Sequence, residues 1–125
     1  MHEELREYDT RFVFRSKYYN IAEVFANTKT GEVWFTNFLD DAIILPFNRK
    51  TNATMCDLIE FFEDRCFERG RFDLRDILDR LGLVEYNPFH IVYRYGGKAA
   101  EDHFWIDFLR WEGDYDRAYK FGYAK

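Results

Sequence analysis

Apolar and polar positions recur along this chain with two different periods, and the changes of period mark out its elements. Arg11-Phe12-Val13-Phe14-Arg15 is a short alternating patch that reads as a strand. The runs Ala22 to Asn27 and Glu32 to Thr36 are rich in β-branched and aromatic residues, and Thr28-Lys29-Thr30-Gly31 separates them. A four-residue loop ending in glycine between two such runs predicts a hairpin. From Phe38 to Asn48 the pattern is mixed. Pro46 opposes a long helix, so a short helical turn or a buried strand ending at Pro46 both fit.

The period then lengthens. Thr54 with Asp57 three residues on predicts an N-cap of capping-box type, with the acid at the positive end of the helix. Met55, Leu58, Ile59, Phe62 and Cys66 follow as one apolar stripe, and Gly70 ends it. A second helix starts near Phe72 or Asp73, carries Leu74, Ile77, Leu78 and Leu81 on one face, and stops at Gly82. Asn87-Pro88 reads as N-cap and first helical residue of a third helix that closes before Gly96-Gly97. Strand alternation returns at Asp102 to Phe108. It places Phe104, Ile106 and Phe108 on one face and turns Trp105 the other way, against a helix or towards a partner. The tail has aromatics at 111, 115, 119 and 123, a spacing of four that predicts a helical stripe; alternatively Tyr119, Phe121 and Tyr123 form a last strand.

These elements predict an α+β domain spanning residues 1–125: a small antiparallel sheet, made of the N-terminal hairpin plus a late strand, with about three helices packed on one face. Residues 1–10 are expected to fray and 111–125 to form an interaction tail. The expected core is Leu58, Ile59, Phe62, Leu74, Ile77, Leu78, Leu81, Ile91 and Phe104.

Composition sharpens this picture through the aromatic residues. Fourteen Phe, nine Tyr and three Trp make up 21% of 125 residues, and each ring can bury roughly 150–250 Å². Periodicity leaves Phe61, Tyr95, Trp111, Tyr115, Tyr119 and Tyr123 on a surface, where aromatics mark contact patches. Phe61, Trp105, Trp111, Tyr115 and Tyr119 are therefore the expected partner-binding residues, facing a larger protein.

Charge argues against nucleic acid as that partner. The net charge is -5, and the run Arg65, Arg69, Arg71, Arg75, Arg80 is diluted by Glu63, Asp64, Glu68, Asp73, Asp76 and Asp79. The second and third helices have a helix–turn–helix order, yet the third would offer Asn87, His90 and Arg94 among apolar neighbours, and the connection is longer than a tight turn.

No constellation of catalytic or ligating residues emerges. His2 lies at the terminus and His90 among apolar neighbours; Glu101-Asp102-His103 would need a bulge to converge, because adjacent strand residues point apart. Gly96-Gly97-Lys98 reads as a helix end rather than a phosphate loop, and Asp40-Asp41 as a helix start or turn. The expectation is no catalytic residue, no cofactor and no metal. Cys56 and Cys66 would lie ~15 Å apart on one helix, too far for a disulfide. Two free thiols, a charged start without an apolar segment, and no apolar run of ~20 residues predict a soluble cytoplasmic protein.

The hairpin Ala22–Phe35, Leu45-Pro46-Phe47, Phe62-Glu63-Asp64-Arg65-Cys66-Phe67 and Glu101-Asp102-His103-Phe104-Trp105-Ile106 together resemble a family of small bacterial proteins. Members of that type are similar to accessory components of HipA-like kinases and to cargo of phages and mobile elements. The resemblance covers Asn20 to Phe108 and implies a non-enzymatic, antitoxin-like or kinase-accessory role. A phage-encoded inhibitor of host defence, of anti-CRISPR type, and a helix–turn–helix regulator are the alternatives.

Overall fold

The computed structural model describes residues 7–41, 44–48, 50–66, 72–96 and 103–123, with the side chains of 95 and 121–123 left out. The elements run β1 (Thr10–Arg15), β2 (Asn20–Asn27), β3 (Glu32–Asn37), β4 (Ala53–Thr54), α1 (Met55–Asp64), α2 (Leu74–Leu81), α3 (Pro88–Tyr95), β5 (Trp105–Trp111) and α4 (Tyr115–Tyr123). The strands form one antiparallel sheet in the order β4-β3-β2-β1-β5, so this is an α+β fold.

Local chemistry accounts for each boundary. Gly31 takes a positive φ of 81°, which closes the β2–β3 turn at no steric cost. The Thr54 hydroxyl accepts from the Asp57 N–H and the Asp57 carboxylate accepts from the Thr54 N–H, completing the capping box that starts α1. Gly82 ends α2 in the left-handed region at φ 74°, and Leu83 N–H donates back to Leu78 O. The Asn87 side chain accepts from Phe89 N–H, with Pro88 behind it as first residue of α3. The Asp114 carboxylate accepts from Arg117 N–H at the head of α4.

Register divides the sheet into two faces. Thr10, Phe12 and Phe14 of β1 stand opposite Ala26, Val24 and Ala22 of β2 and opposite Trp111, Phe108 and Ile106 of β5. This face is covered by α1, α3 and α4 and holds the core with Leu58, Ile59, Phe62, Phe89 and Val92. Phe62 lies at its centre, with rings of Phe12, Phe61, Phe89 and Trp111 within 5.1–6.1 Å. Two irregularities shape it. Between Phe14 and Arg15 the register with β2 shifts, and Ile21 turns inward fully buried. In β5, Leu109 is the extra residue between Phe108 and Arg110, and the bulge re-aims Trp111 into the core beside Phe108.

Several sequence expectations change here. Helix α1 ends at Asp64 rather than at Gly70, and Gly70 lies outside the described residues. Residues 44–48 form turns closed by hydrogen bonds such as Asn48 N–H to Leu45 O, with Leu45 and Phe47 buried, rather than a strand, and residues 42–43 lie outside the described residues. Of the expected core, Leu58, Ile59, Phe62, Leu78 and Ile91 are buried, whereas Leu74, Ile77, Leu81 and Phe104 are half-buried. Helix α2 is peripheral: its one buried residue, Leu78, stands outside the main cluster.

Residues 9 and 10 are tied down, while residues 1–6 of the segment expected to fray lie outside the described residues. Gly113 N–H donates to the Tyr115 hydroxyl (3.0 Å), which meets Thr10 Oγ1 at 2.8 Å, and Thr10 donates to Asp9 (3.0 Å). Asp9 also accepts from the Thr28 hydroxyl at 2.6 Å, and Thr28 Oγ1 in turn accepts from Asp114 N–H. A Cβ on Gly113 would come within 2.7 Å of Thr28, so only glycine fits where the β5–α4 corner crosses the hairpin.

Candidate protein-interaction site

The five sequence-predicted contact residues do not form one surface. Phe61 is buried, which corrects its expected exposure: α1 is covered on two sides, by Phe12 and Phe14 of the sheet and by Phe47 of the preceding turns. Tyr115 is buried as well, with its hydroxyl in the network above and burial pushing the phenol up to about 12. Trp111 ends β5 instead of starting the tail helix. It stacks between Tyr93 (5.1 Å) and Tyr115 (3.9 Å), half-buried on the core. Tyr119 packs against the core too, so the described rings of the C-terminal stripe close the fold. Tyr123 belongs to α4, which excludes the alternative final strand; the side chains of Tyr95 and Tyr123 lie outside the described residues. Trp105 alone of the five stands on the helix-free face, opposite Arg15 and half-buried.

Three exposed aromatics, Tyr18, Tyr19 and Phe38, gather instead at one end of the sheet; Phe72 before α2 and Tyr93 on α3 are the other exposed aromatics among the described residues. Residues 16–19 join β1 to β2 in a turn built on Ser16, which is buried. Its N–H donates to Tyr19 O (2.8 Å), and its hydroxyl donates to the same carbonyl while accepting from the N–H groups of Tyr18 and Tyr19. The turn's backbone is thus held from within, and its two rings project outward, Tyr18 79% and Tyr19 52% exposed. Lys17 Nζ lies 5.6 Å over the Tyr18 ring. Phe38, 48% exposed, is held at the same end because its N–H donates to Ile21 O. Tyr18 and Tyr19 escaped the sequence reading because a turn has no period; Ser16 followed by two tyrosines between apolar runs was the available signal.

A cavity of about 340 Å³ opens at this same end, between the end of α1, the turns at 44–48 and the start of β5. Phe14, Phe61 and Phe104 line it, with the Phe14 ring 5.1 Å from Phe61 and 5.6 Å from Phe104. Arg65 lies over Phe14 and donates to Phe104 O. Asp64 is on the rim; burial, then the neighbouring Glu63, raises its carboxyl against the pull of Arg65.

The helix-free face is built differently. Val13 has Glu23 opposite it on β2 and Asp107 opposite it on β5. Arg11 reaches diagonally to Glu23 (2.6 Å) and Arg15 to Asp107 (2.8 Å), so two ion pairs frame Val13, which is only 5% exposed. Beside them Phe25 stacks on Trp34 (5.8 Å) and takes the edge of Tyr8, while Arg11 covers Phe25 and Arg110 covers Tyr8.

The residues weighed for chemistry are dispersed. His90 faces Asp116 at 3.1 Å, and His103 is exposed. Glu101, Asp102, Gly97 and Lys98 lie outside the described residues, while Gly96 is the left-handed cap of α3. Burial pushes the Cys66 thiol up to about 11, which leaves little thiolate near neutral pH. Among the described residues no group of His, Cys, Asp and Glu could hold a metal ion, and no helix is long and apolar enough to cross a membrane. No family model, curated protein or solved structure matches this chain.

Proposed function

We propose that this chain is a small, non-catalytic cytoplasmic protein that binds and regulates a larger protein, with the Tyr18–Tyr19–Phe38 end of the sheet as its contact surface. The observation that carries this reading is the turn on Ser16, which orders two tyrosines while leaving them outside the core. Rings of that kind, held in advance, lose little conformational freedom on binding and serve as interface anchors. The net charge of -5 suits steering towards a basic partner. The free thiols Cys56 and Cys66 fit a reducing compartment. The antitoxin-like or kinase-accessory role follows from the resemblance of the sequence to proteins of that type.

Tagged protein used as bait in its native host tests the reading. The wild type retrieves a stoichiometric protein, and Tyr18→Ala/Tyr19→Ala and Phe38→Ala variants lose it with unchanged melting temperature. Retention of the same protein by both variants would refute this contact surface.

A further inference from the structure

One edge of the sheet is open along most of a strand. β5 pairs with β1 alone, so its other side forms the edge, while the opposite edge ends in the two-residue β4. Gly96 O, at the end of α3, takes the Ile106 N–H and closes the start of the β5 edge. From Asp107 to Trp111 no described residue pairs with the backbone on that side. Exposed apolar groups flank the same stretch: Leu109 in the bulge, and Tyr93 of α3, whose ring packs on Phe108 and Trp111. A strand edge with free N–H and C=O groups is a template for another extended strand.

The side chains select which strand. In a regular strand, residues three apart point to opposite faces. The bulge at Leu109 cancels this offset: Asp107 stands opposite Val13 and Arg110 opposite Arg11, so both lie on the helix-free face. Asp107-Phe108-Leu109-Arg110 therefore carries opposite charges at its two ends, on one face, with two apolar residues between. Laid antiparallel against a copy of itself, it sets Asp107 opposite Arg110 of the second copy and Phe108 opposite Leu109, and one two-fold axis satisfies both ends at once.

We infer that this protein forms a two-fold dimer by antiparallel pairing of β5 with β5 of a second copy, which joins two five-stranded sheets into one. Asp107 and Arg110 are already held in place by Arg15 and Glu112, and the pairing extends both ion pairs across the axis. The paired stretch is short, so the interface falls below the roughly 1,200–2,000 Å² of stable complexes and the dimer dissociates on dilution. This association goes beyond the partner-binding reading above and does not need it. The axis sends the two Ser16 turns to opposite ends of the joined sheet and leaves both uncovered.

Sedimentation equilibrium of the intact protein over a range of concentrations is the test. The wild type is expected to show a monomer–dimer equilibrium. Asp107→Lys sets lysine against arginine twice across the axis, and Arg110→Asp sets two carboxylates together twice; each alone should weaken the dimer about tenfold or more. An equimolar mixture of these two variants makes every pair across the axis opposite in sign again and should recover the wild-type association. Leu109→Lys, a change at an exposed position on the axis, should also dissociate the dimer, with an unchanged circular dichroism spectrum. A wild type that stays monomeric at millimolar concentration, single variants that dimerise as the wild type does, or a mixture that fails to associate overturns the inference. The Tyr18→Ala/Tyr19→Ala variant should dimerise normally. A monomeric wild type, with partner capture still lost in that variant, would remove the dimer and leave the contact surface standing.

Discussion

Both faces of the sheet carry aromatic rings, and their neighbours differ. On the covered face Phe12, Phe108 and Trp111 meet other rings and the aliphatic side chains of three helices, and only Phe14, at its margin, lies under an arginine, Arg65. On the helix-free face Phe25 and Tyr8 lie under guanidinium groups while Trp34 stacks on Phe25, and charged pairs border the buried aliphatic residue Val13. A ring surrounded by rings contributes through area removed from water and tight packing; a ring under an arginine keeps a solvated charge above it and contributes less. Composition alone does not separate these roles, since the same residue types occur on both sides.

The largest expected effect breaks the covered face. Phe62→Ala removes the ring on which four others converge, and should lower stability by about 3–5 kcal/mol in chemical denaturation. Tyr115→Phe keeps the ring and deletes the hydroxyl between Gly113 N–H and Thr10 Oγ1, leaving the part-buried Gly113 N–H without this acceptor; a loss of about 1–3 kcal/mol is expected by the same measurement. The helix-free face should respond weakly. A double-mutant cycle on Arg11 and Glu23 should return about 0.2–1 kcal/mol of coupling, reduced further at high salt. A coupling above that range would mean that the arginine lattice holds the fold as firmly as the rings do.

The smallest effect concerns pH. Burial raises the Asp57 carboxyl, but Lys50 and the Thr54 N–H and hydroxyl outweigh it and leave the group below its ordinary value. A carboxyl lowered in the folded state stabilises above its unfolded pKa, and that contribution disappears as pH falls through the folded value. Asp57→Asn should therefore narrow the difference in stability between neutral and acid pH, measured by urea denaturation at each. An unchanged difference would show that the capping box and Lys50 do not bias folding.

The legible parts of the fold were those decided locally. Thr54 with Asp57, Asn87 with Pro88, and Gly82 each specify a backbone geometry within four residues, and α1, α2 and α3 begin or end at them. The hairpin through Gly31 is of the same kind. What escaped depends on contacts distant in sequence. The aromatic spacing of four suggested one continuous stripe, yet Trp111 belongs to a strand and Tyr115 to a helix. A bulge at Leu109 and the corner at Gly113 bring both inward. Phe61 falls off the stripe defined by Leu58 and Phe62, and its burial comes from Phe12 and Phe14 of the sheet together with Phe47 of the preceding turns. The exposure expected of Phe61 and Tyr115 was misjudged for the same reason, because exposure in this molecule follows from tertiary cover rather than from periodicity.

The position of β5 has a consequence for the nascent chain. Strands β1 to β3 can pair as soon as they emerge from the ribosome, because each follows the last through a short turn. The other edge of β1 waits for β5, and the Thr10–Tyr115 contact that locks this junction spans 105 positions. During synthesis the polypeptide therefore carries an unsatisfied strand edge, flanked by Phe12 and Phe14, until Trp105–Trp111 has been translated. Such an edge is a template for association with other chains. Slow elongation or truncation before residue 111 should favour aggregates over monomer, and the vulnerability disappears once β5 has paired with β1.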